Sequence, residues 1–514
     1  MRIENSIKNI SIGILSQIII VILGFVSRKV FLDSLGVEYL GINGLLINVL
    51  SIMALVEAGI GISITYNLYK PLAENDQKKV IALVQLYRKM YRILAAITIV
   101  VSLGLYPFLE HLMKESESIS NIALIYSLFV AKNVFSYLNA HKWSLINADQ
   151  KGYVLVRMDL LFQVSTTVAK ICILITTQNY ILYLLIELLL YVIQNITNGV
   201  IVNKRYSYIK TKEKHSLDQD TKDNLVKNVK AMFLQNIGGF LVFGTDNILI
   251  SSFIGIATVG LYSNYTMITQ QVSSLVKPML GGVGASVGNL IATEGSDKNY
   301  SIFKITYFVN FWLYSLCVIF LYNLLEPFIN WWLGAGYLLD KISFILLLMN
   351  VYLLGMRTAI ATFKNKAGLF VQDKYVPIFE GLINLIISLL LVKYFGLAGI
   401  FMGTIISTLS TVFWTQPVIV YKHVFKQSVW PYFKTYGMYA ILTVLICFIT
   451  TICNTLVVGE NFISLVLKGF VCIIVPNSIY VILFFKTKEF QYIFNTLKSN
   501  LLKVGKNKQI TRGA

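Results

Sequence analysis

Between residues 10 and 485 the chain returns repeatedly to apolar stretches as long as a bilayer is thick, and no other feature constrains its fold so tightly. A helix crossing the hydrocarbon core needs about 20 apolar residues. Such stretches run near 10–32, 40–65, 91–109, 119–140, 155–176, 180–202, 231–252, 259–287, 303–324, 342–362, 376–395, 397–420, 436–456 and 462–485. The expectation is an all-α polytopic membrane protein of about 14 helices. Only 13% of its residues are charged and 56% are hydrophobic, whereas soluble domains are about one quarter charged. The first stretch is too long for a signal peptide and has no small-residue cleavage site, so it reads as a retained helix. Two breaks are thin: Gln178-Asn179 alone separates stretches 5 and 6, and Gly396 alone separates stretches 11 and 12.

Orientation follows from the basic residues, because cytoplasmic loops carry the excess of Lys and Arg. Lys70, Lys78, Lys79, Arg88, Lys89 and Arg92 follow stretch 2, and Lys142 and Lys151 follow stretch 4. Lys204, Arg205, Lys210 and their neighbours follow stretch 6. Lys364, Lys366 and Lys374 follow stretch 10, Lys422, Lys426 and Lys434 follow stretch 12, and the tail from Lys486 to Arg512 closes the series. The alternate loops carry Asp33 with Glu38, Glu110 with Glu115 and Glu117, Asp340, and Glu460. Fourteen spans with both termini in the cytoplasm satisfy every loop. The net charge of +19 therefore lies at helix ends on one side, facing anionic headgroups rather than nucleic acid. The five cysteines all fall within apolar helices and lack the paired spacing of a zinc or disulfide site.

The chain is also duplicated. Leu35-Gly36-Val37-Glu38-Tyr39-Leu40-Gly41 recurs about 220 positions later as Ile254-Gly255-Ile256-Ala257-Thr258-Val259-Gly260, each where one apolar stretch ends and the next begins. Asp149-Gln150-Lys151 with Tyr153 matches Gln372-Asp373-Lys374-Tyr375, and Gly59, Gly61 and Ser63 match Gly282, Gly284 and Ser286 after a shift of about one turn. Three matches in the same order divide the chain into residues 1–215, residues 216–430, and a third part, 431–514, with the last two helices and a basic tail. Repeats of this kind are the plan of secondary transporters, with the substrate path between the halves.

There is no Walker loop, no His-Glu-x-x-His and no Gly-x-Ser-x-Gly, so the chain is read as a transporter rather than an enzyme, without a resident metal or cofactor. Movement is then downhill or coupled to a proton or sodium gradient. Charges inside the membrane are costly and mark substrate or ion paths. Lys132 and Arg357 lie near the midplane at nearly equivalent places in the two halves, where both suit phosphate oxygens in one central cavity. The alternatives are snorkelling or internal ion pairs. Arg28 and Asp246 sit at matching levels of stretches 1 and 7, and Glu57 lies three alignment positions from Lys277. Alternating access would make one of these pairs as it breaks the other; alternatively, Arg28 and Lys29 snorkel to headgroups. Glu57, Asp159, Asp246, Glu187 and Glu380 are the carboxylates available for ion coupling. The plainer role of Asp159 is to neutralise Arg157 or Lys170. Glycines 281, 282, 284 and 288, with Pro278, favour either close packing or a hinge, and Trp331-Trp332, Trp143 and Trp430 read as interface belts.

Taken with the fourteen spans and the repeat, Ser27-Arg28-Lys29, Glu57-Ala58-Gly59-Ile60-Gly61, Gly244-Thr245-Asp246-Asn247 and Asp149-Gln150-Lys151 resemble the polysaccharide biosynthesis (Wzx-type) flippases of the multidrug/oligosaccharidyl-lipid/polysaccharide (MOP) exporter superfamily. The resemblance implies two six-helix lobes in a V around a cleft lined by helices 1, 2, 7 and 8, as in MATE-type exporters, plus two C-terminal helices. It implies a lipid-linked oligosaccharide on undecaprenyl pyrophosphate as substrate, a bacterial cell membrane as location, and membrane lipids, a polysaccharide polymerase and glycosyltransferases as partners. Arg28, Lys132, Lys277 and Arg357 become candidates for the pyrophosphate and sugar cleft, and Glu57, Asp159 and Asp246 for gating or ion coupling. Helices 13 and 14 would offer a groove for the polyprenyl tail. A lipid II flippase, a MATE-type multidrug exporter, and a scaffold or membrane glycosyltransferase remain alternatives. An acidic cavity would favour the exporter, and a long catalytic loop the glycosyltransferase.

Overall fold

The structure is a computed structural model that describes residues 2–113, 121–149, 151, 153–213, 215–369, 371–459 and 461–495. Side chains of residues 2–18, of much of 53–66, 227–235 and 277–289, and of a few isolated positions fall outside the description. Gln150, Glu115, Glu117 and Glu460, and the side chains of Lys277 and Ser63, therefore lie outside the described residues.

Helices make up 87% of the described residues, among which there is no strand. In chain order they are α1 (Arg2–Leu35), α2 (Val37–Ala73), α3 (Gln77–Leu105), α4 (Ile122–Leu138, continued by Ala140–Ala148), α5 (Tyr153–Thr177), α6 (Tyr180–Arg205) and α7 (Gln219–Phe243, continued by Asp246–Phe253). Then follow α8 (Ile256–Thr293), α9 (Ser296–Leu333), α10 (Lys341–Lys366), α11 (Val376–Phe395), α12 (Leu397–Ser410, continued by Val412–Val420), α13 (Trp430–Thr455) and α14 (Phe462–Phe484). Each of the apolar stretches falls on one of these helices. Among the described residues nine helices are long and apolar enough to cross a membrane, ten when the two parts of α4, bent by 45°, count as one span. The stretches beyond those ten fall on α1, α2, α7 and α8, which all include side chains outside the description.

Helix ends are set by local chemistry. Side chains of Asp76, Asn179, Asp218, Asp340 and Asn461 accept from the first free backbone N–H groups of α3, α6, α7, α10 and α14, the usual way such orphan donors are satisfied. The two thin breaks are real: Gln178 (φ 48°) and Gly396 (φ 55°) both adopt the left-handed backbone that stops a helix. Charge then fixes the α7 start against α3 through Lys79 and Asp218, 2.9 Å apart.

Two compact units emerge: residues 1–263 with 392–400, and residues 264–391 with 401–514. In the first, α2 packs along α7, α1 along α5, and α5 along α6, around a core of Leu83, Tyr87, Tyr91, Tyr137, Leu145 and Tyr206. In the second, α9 packs against α10, α13 and α14. Its core is aromatic, with Phe311 stacked on Tyr439 at 3.9 Å and Phe303, Tyr307, Phe363 and Phe425 around them. The faces turned away from these cores are apolar and exposed, including Leu161 on α5, Phe448 on α13 and Ile482 on α14. Such faces have a stable environment in hydrocarbon, not in water.

Candidate substrate path and ion-coupling groups

The repeat is visible as contacts within the first unit. Gly36 (φ 85°) ends α1 and Gly255 (φ 148°) precedes α8. From these turns Gly41 lies against the carbonyl of Ile256, and Gly260 against the carbonyl of Val37. The side chains obey the same exchange: Arg28 donates through Nη1 to Ser263 Oγ at 3.0 Å, and Asn247 donates to Gly44 O at 3.4 Å. Under the alignment of the two segments Arg28 corresponds to Asn247, and Gly44 to Ser263. α1–α2 and α7–α8 therefore meet here as pseudo-equivalent pairs. Asn48 adds a bond to Gly244 O at 3.2 Å.

Arg28 makes no ion pair with Asp246 in this structure. Its neighbour Lys29 approaches Asp33 at 3.6 Å instead. Asp246 is 8% exposed and begins the second part of α7, where a carboxylate is favoured by the helix dipole. Its Oδ1 has no hydrogen-bond partner among the described residues. Glu57 is half-buried on α2, within electrostatic reach of the hydroxyls of Tyr91, Tyr137 and Tyr191. Tyr87 stacks on Tyr91 at 5.5 Å and donates to Gly61 O at 2.7 Å, and Tyr91 stacks in turn on Tyr137 at 6.0 Å.

The structure places Lys132 and Arg357 in internal ion pairs. Lys132 on α4 and Lys170 on α5 converge on Glu187 of α6, with Lys170 also 4.2 Å from the Tyr183 ring. Arg357 on α10 lies 3.1 Å from Glu380 on α11, and Thr408 on α12 donates to the same carboxylate at 3.2 Å. A buried charge is tolerated when it is paired in this way. Asp159 is not used to neutralise Lys170. It accepts from Gln194 at 2.8 Å and Asn198 at 2.7 Å, on the wall of a cavity of about 400 Å³ shared with Trp143, Asn147, Tyr191 and Asn195. Amides, a carboxylate and aromatic rings suit hydroxyl-rich groups, so Trp143 lines a polar cavity as well as standing near a helix end. Sequence patterning missed this cavity because its polar residues are spread over three helices.

In the second unit, Ile268, Phe320, Leu324, Phe462, Leu465 and Phe470 line a nearly wholly apolar cavity of about 350 Å³ between α8, α9 and α14. α14 is held to α9 by Trp312 Nε1 donating to Asn477 at 2.7 Å and Tyr480 donating to Ser315 at 2.7 Å. α8 runs as one helix through Pro278.

The fold is found in solved membrane-transporter structures. The lipid II flippase MurJ in an inward closed conformation superposes with a TM-score of 0.61 over 91% of this chain and 98% of that one, at 14% identity. An inward-facing MATE-family multidrug resistance transporter of the MOP superfamily gives 0.54 over 78% and 94%, also at 14% identity. A Pyrococcus furiosus MOP superfamily transporter, described by a binding pocket of reversed polarity, gives 0.51 over 82% and 94%, at 13% identity. Fold and apolar helices together define a multi-pass membrane protein with the all-helical fold of MOP superfamily transporters. Residues 6–285 match the family described as polysaccharide biosynthesis protein, and the chain belongs to that family. No protein of curated function matches its sequence.

Proposed function

We propose that this protein is a flippase that carries undecaprenyl-pyrophosphate-linked oligosaccharide units from the inner to the outer leaflet of a bacterial cell membrane, coupled to a proton or sodium gradient. Membership of the polysaccharide biosynthesis family supports this. Arg28 is the observation that carries it: a guanidinium within a membrane-embedded helix, hydrogen-bonded to Ser263 and without a carboxylate in ion-pair range among the described residues. An unpaired intramembrane cation is costly unless something anionic comes to it, and a fork of donors suits a pyrophosphate.

Sugar pyrophosphates cannot cross hydrocarbon unaided, since they would lose water without replacement. In the proposed cycle Arg28 receives the pyrophosphate and the polar cavity at Asp159 suits the glycan, while the apolar cavity beside α14 has a lining suited to part of a polyprenyl tail. Lobes are proposed at the repeat boundaries, 1–215 and 216–430, with both termini cytoplasmic. The Gly41–Ile256 and Gly260–Val37 contacts form the outer closure, and Asp246, Asp159 and Glu57 are the proposed coupling and gating carboxylates. Lys132 and Arg357, paired with Glu187 and Glu380, stabilise their lobes, so Arg28 is what favours an anionic substrate over the cations of a multidrug exporter.

Reconstitution separates the two readings. Vesicles containing the protein are expected to move a fluorescent undecaprenyl-pyrophosphate oligosaccharide between leaflets and to leave an organic cation dye in place. Dye export without lipid movement would overturn the proposal.

A further inference from the structure

A cluster of cations in the first unit is not used by the transport account. His141 and Lys142 begin the second part of α4, and both are buried, at 2% and 9% exposure. Arg88 of α3 donates through Nε to His141 Nε2 at 3.3 Å. Arg92, one turn further along α3, lies with Arg88 and Lys142 within Coulombic reach of His141. Lys210, exposed in the short turn after α6, lies within Coulombic reach of Lys142. None of Arg88, Arg92, Lys142 and Lys210 makes an ion pair among the described residues. His141 Nδ1 is buried without a hydrogen-bond partner.

The surroundings hold the cluster in place. The backbone N–H of Lys142 donates to Asn139 O at 2.8 Å, and Asn139 donates to Asn195 Oδ1 at 2.6 Å. Gly199 on α6 leaves room for the ammonium: a Cβ there would stand 3.1 Å from Lys142 Nζ. A missing side chain on one helix thus makes space for a buried charge from another. Gathering Arg88, Arg92 and Lys142 around His141 and Lys210 near Lys142, with Lys142 itself buried, is unfavourable unless an anion completes the set. Lys364, which is buried to a similar degree, has Asp373 as its partner.

We propose that Arg88, Arg92, Lys142 and Lys210 form a binding site for a phosphate or pyrophosphate group at this end of the first unit, separate from Arg28. Two Arg forks and two Lys point charges match the several oxygens of such a group better than a single carboxylate. The group is either free in solution or the headgroup of a lipid, and the site does not depend on the flippase reading.

The test uses the full chain in nanodiscs and measures binding, not transport. Three probes are compared: inorganic pyrophosphate with phosphatidylcholine discs, discs containing phosphatidylglycerol, and discs containing undecaprenyl pyrophosphate. The wild type is expected to bind at least one of them, and the pattern assigns the source. Arg88→Gln with Lys142→Gln should weaken that binding by at least about tenfold, while Lys142→Arg retains it and Lys422→Gln, on an exposed site in the second unit, leaves it unchanged. Gly199→Val keeps every charge but displaces Lys142, and should weaken binding even if the double variant does not fold. Absence of binding to all three probes would overturn the proposal, as would unchanged binding in Gly199→Val or equal weakening in Lys422→Gln.

Discussion

Gly41 meets the backbone carbonyl of Ile256 so closely that a Cβ on the glycine would stand 1.9 Å from the oxygen. The repeat supplies the same contact a second time, with Gly260 against Val37 at 2.2 Å. No side chain can enter either position without parting the helices, so this junction is closed by backbone alone. Close approach through small residues is how membrane helices pack most firmly.

Alanine at Gly41 should therefore open the junction. Overpacking of this kind costs about 2 kcal/mol, and Gly41→Ala is expected to lower the melting temperature and to slow leaflet exchange by at least about tenfold. Gly260→Ala should behave alike. Thermal melting and exchange rates on the same preparation check both, and a neutral result at either glycine would mean that the junction does not govern transport.

The Lys132–Glu187–Lys170 cluster should be a matter of stability. Glu187→Gln leaves two ammonium groups without their counter-charge, and since the cluster is only partly buried the cost should fall below the ~3 kcal/mol of a fully buried pair. Lys132→Met, which leaves Lys170 on Glu187, should cost less. Denaturation of the two variants in the same detergent measures the difference, and equal costs would contradict the shared-carboxylate arrangement.

Asp159→Asn should retain the fold, because the amide can still accept a bond from Gln194 or Asn198, while removing the one charge of the polar cavity. Exchange is then expected to lose its response to an imposed ion gradient but keep its downhill rate. A full gradient response in this variant would remove Asp159 from the coupling role.

Gly469 borders the apolar cavity, and a Cβ built there would make only an ordinary contact, 3.8 Å from Leu324 Cδ1. Gly469→Phe should fill part of it and raise the KM for a long polyprenyl substrate several-fold, with little change for a short-chain analogue. Equal effects on both substrates would place the tail elsewhere.

Much of this was legible in the sequence, and the limits have physical causes. Apolar length located the helices, and the Gln178 and Gly396 breaks, slight as they look, proved to be left-handed turns. The duplicated glycine segment led directly to the Gly41 and Gly260 contacts, because a glycine conserved within one chain's own repeat marks backbone proximity. Charge partners were less accessible: Lys132 and Glu187 are far apart in sequence, and only the packing of α4 against α6 joins them. The polar cavity and the cation cluster were hidden for the same reason, their residues lying on separate helices that only packing brings together.

The most direct test of the account is leaflet exchange of undecaprenyl-pyrophosphate oligosaccharide in proteoliposomes by wild type and Arg28→Gln, each with and without a proton or sodium gradient. The account predicts gradient-accelerated exchange in the wild type and its loss in a folded Arg28→Gln protein. Exchange of undiminished rate in Arg28→Gln would contradict it.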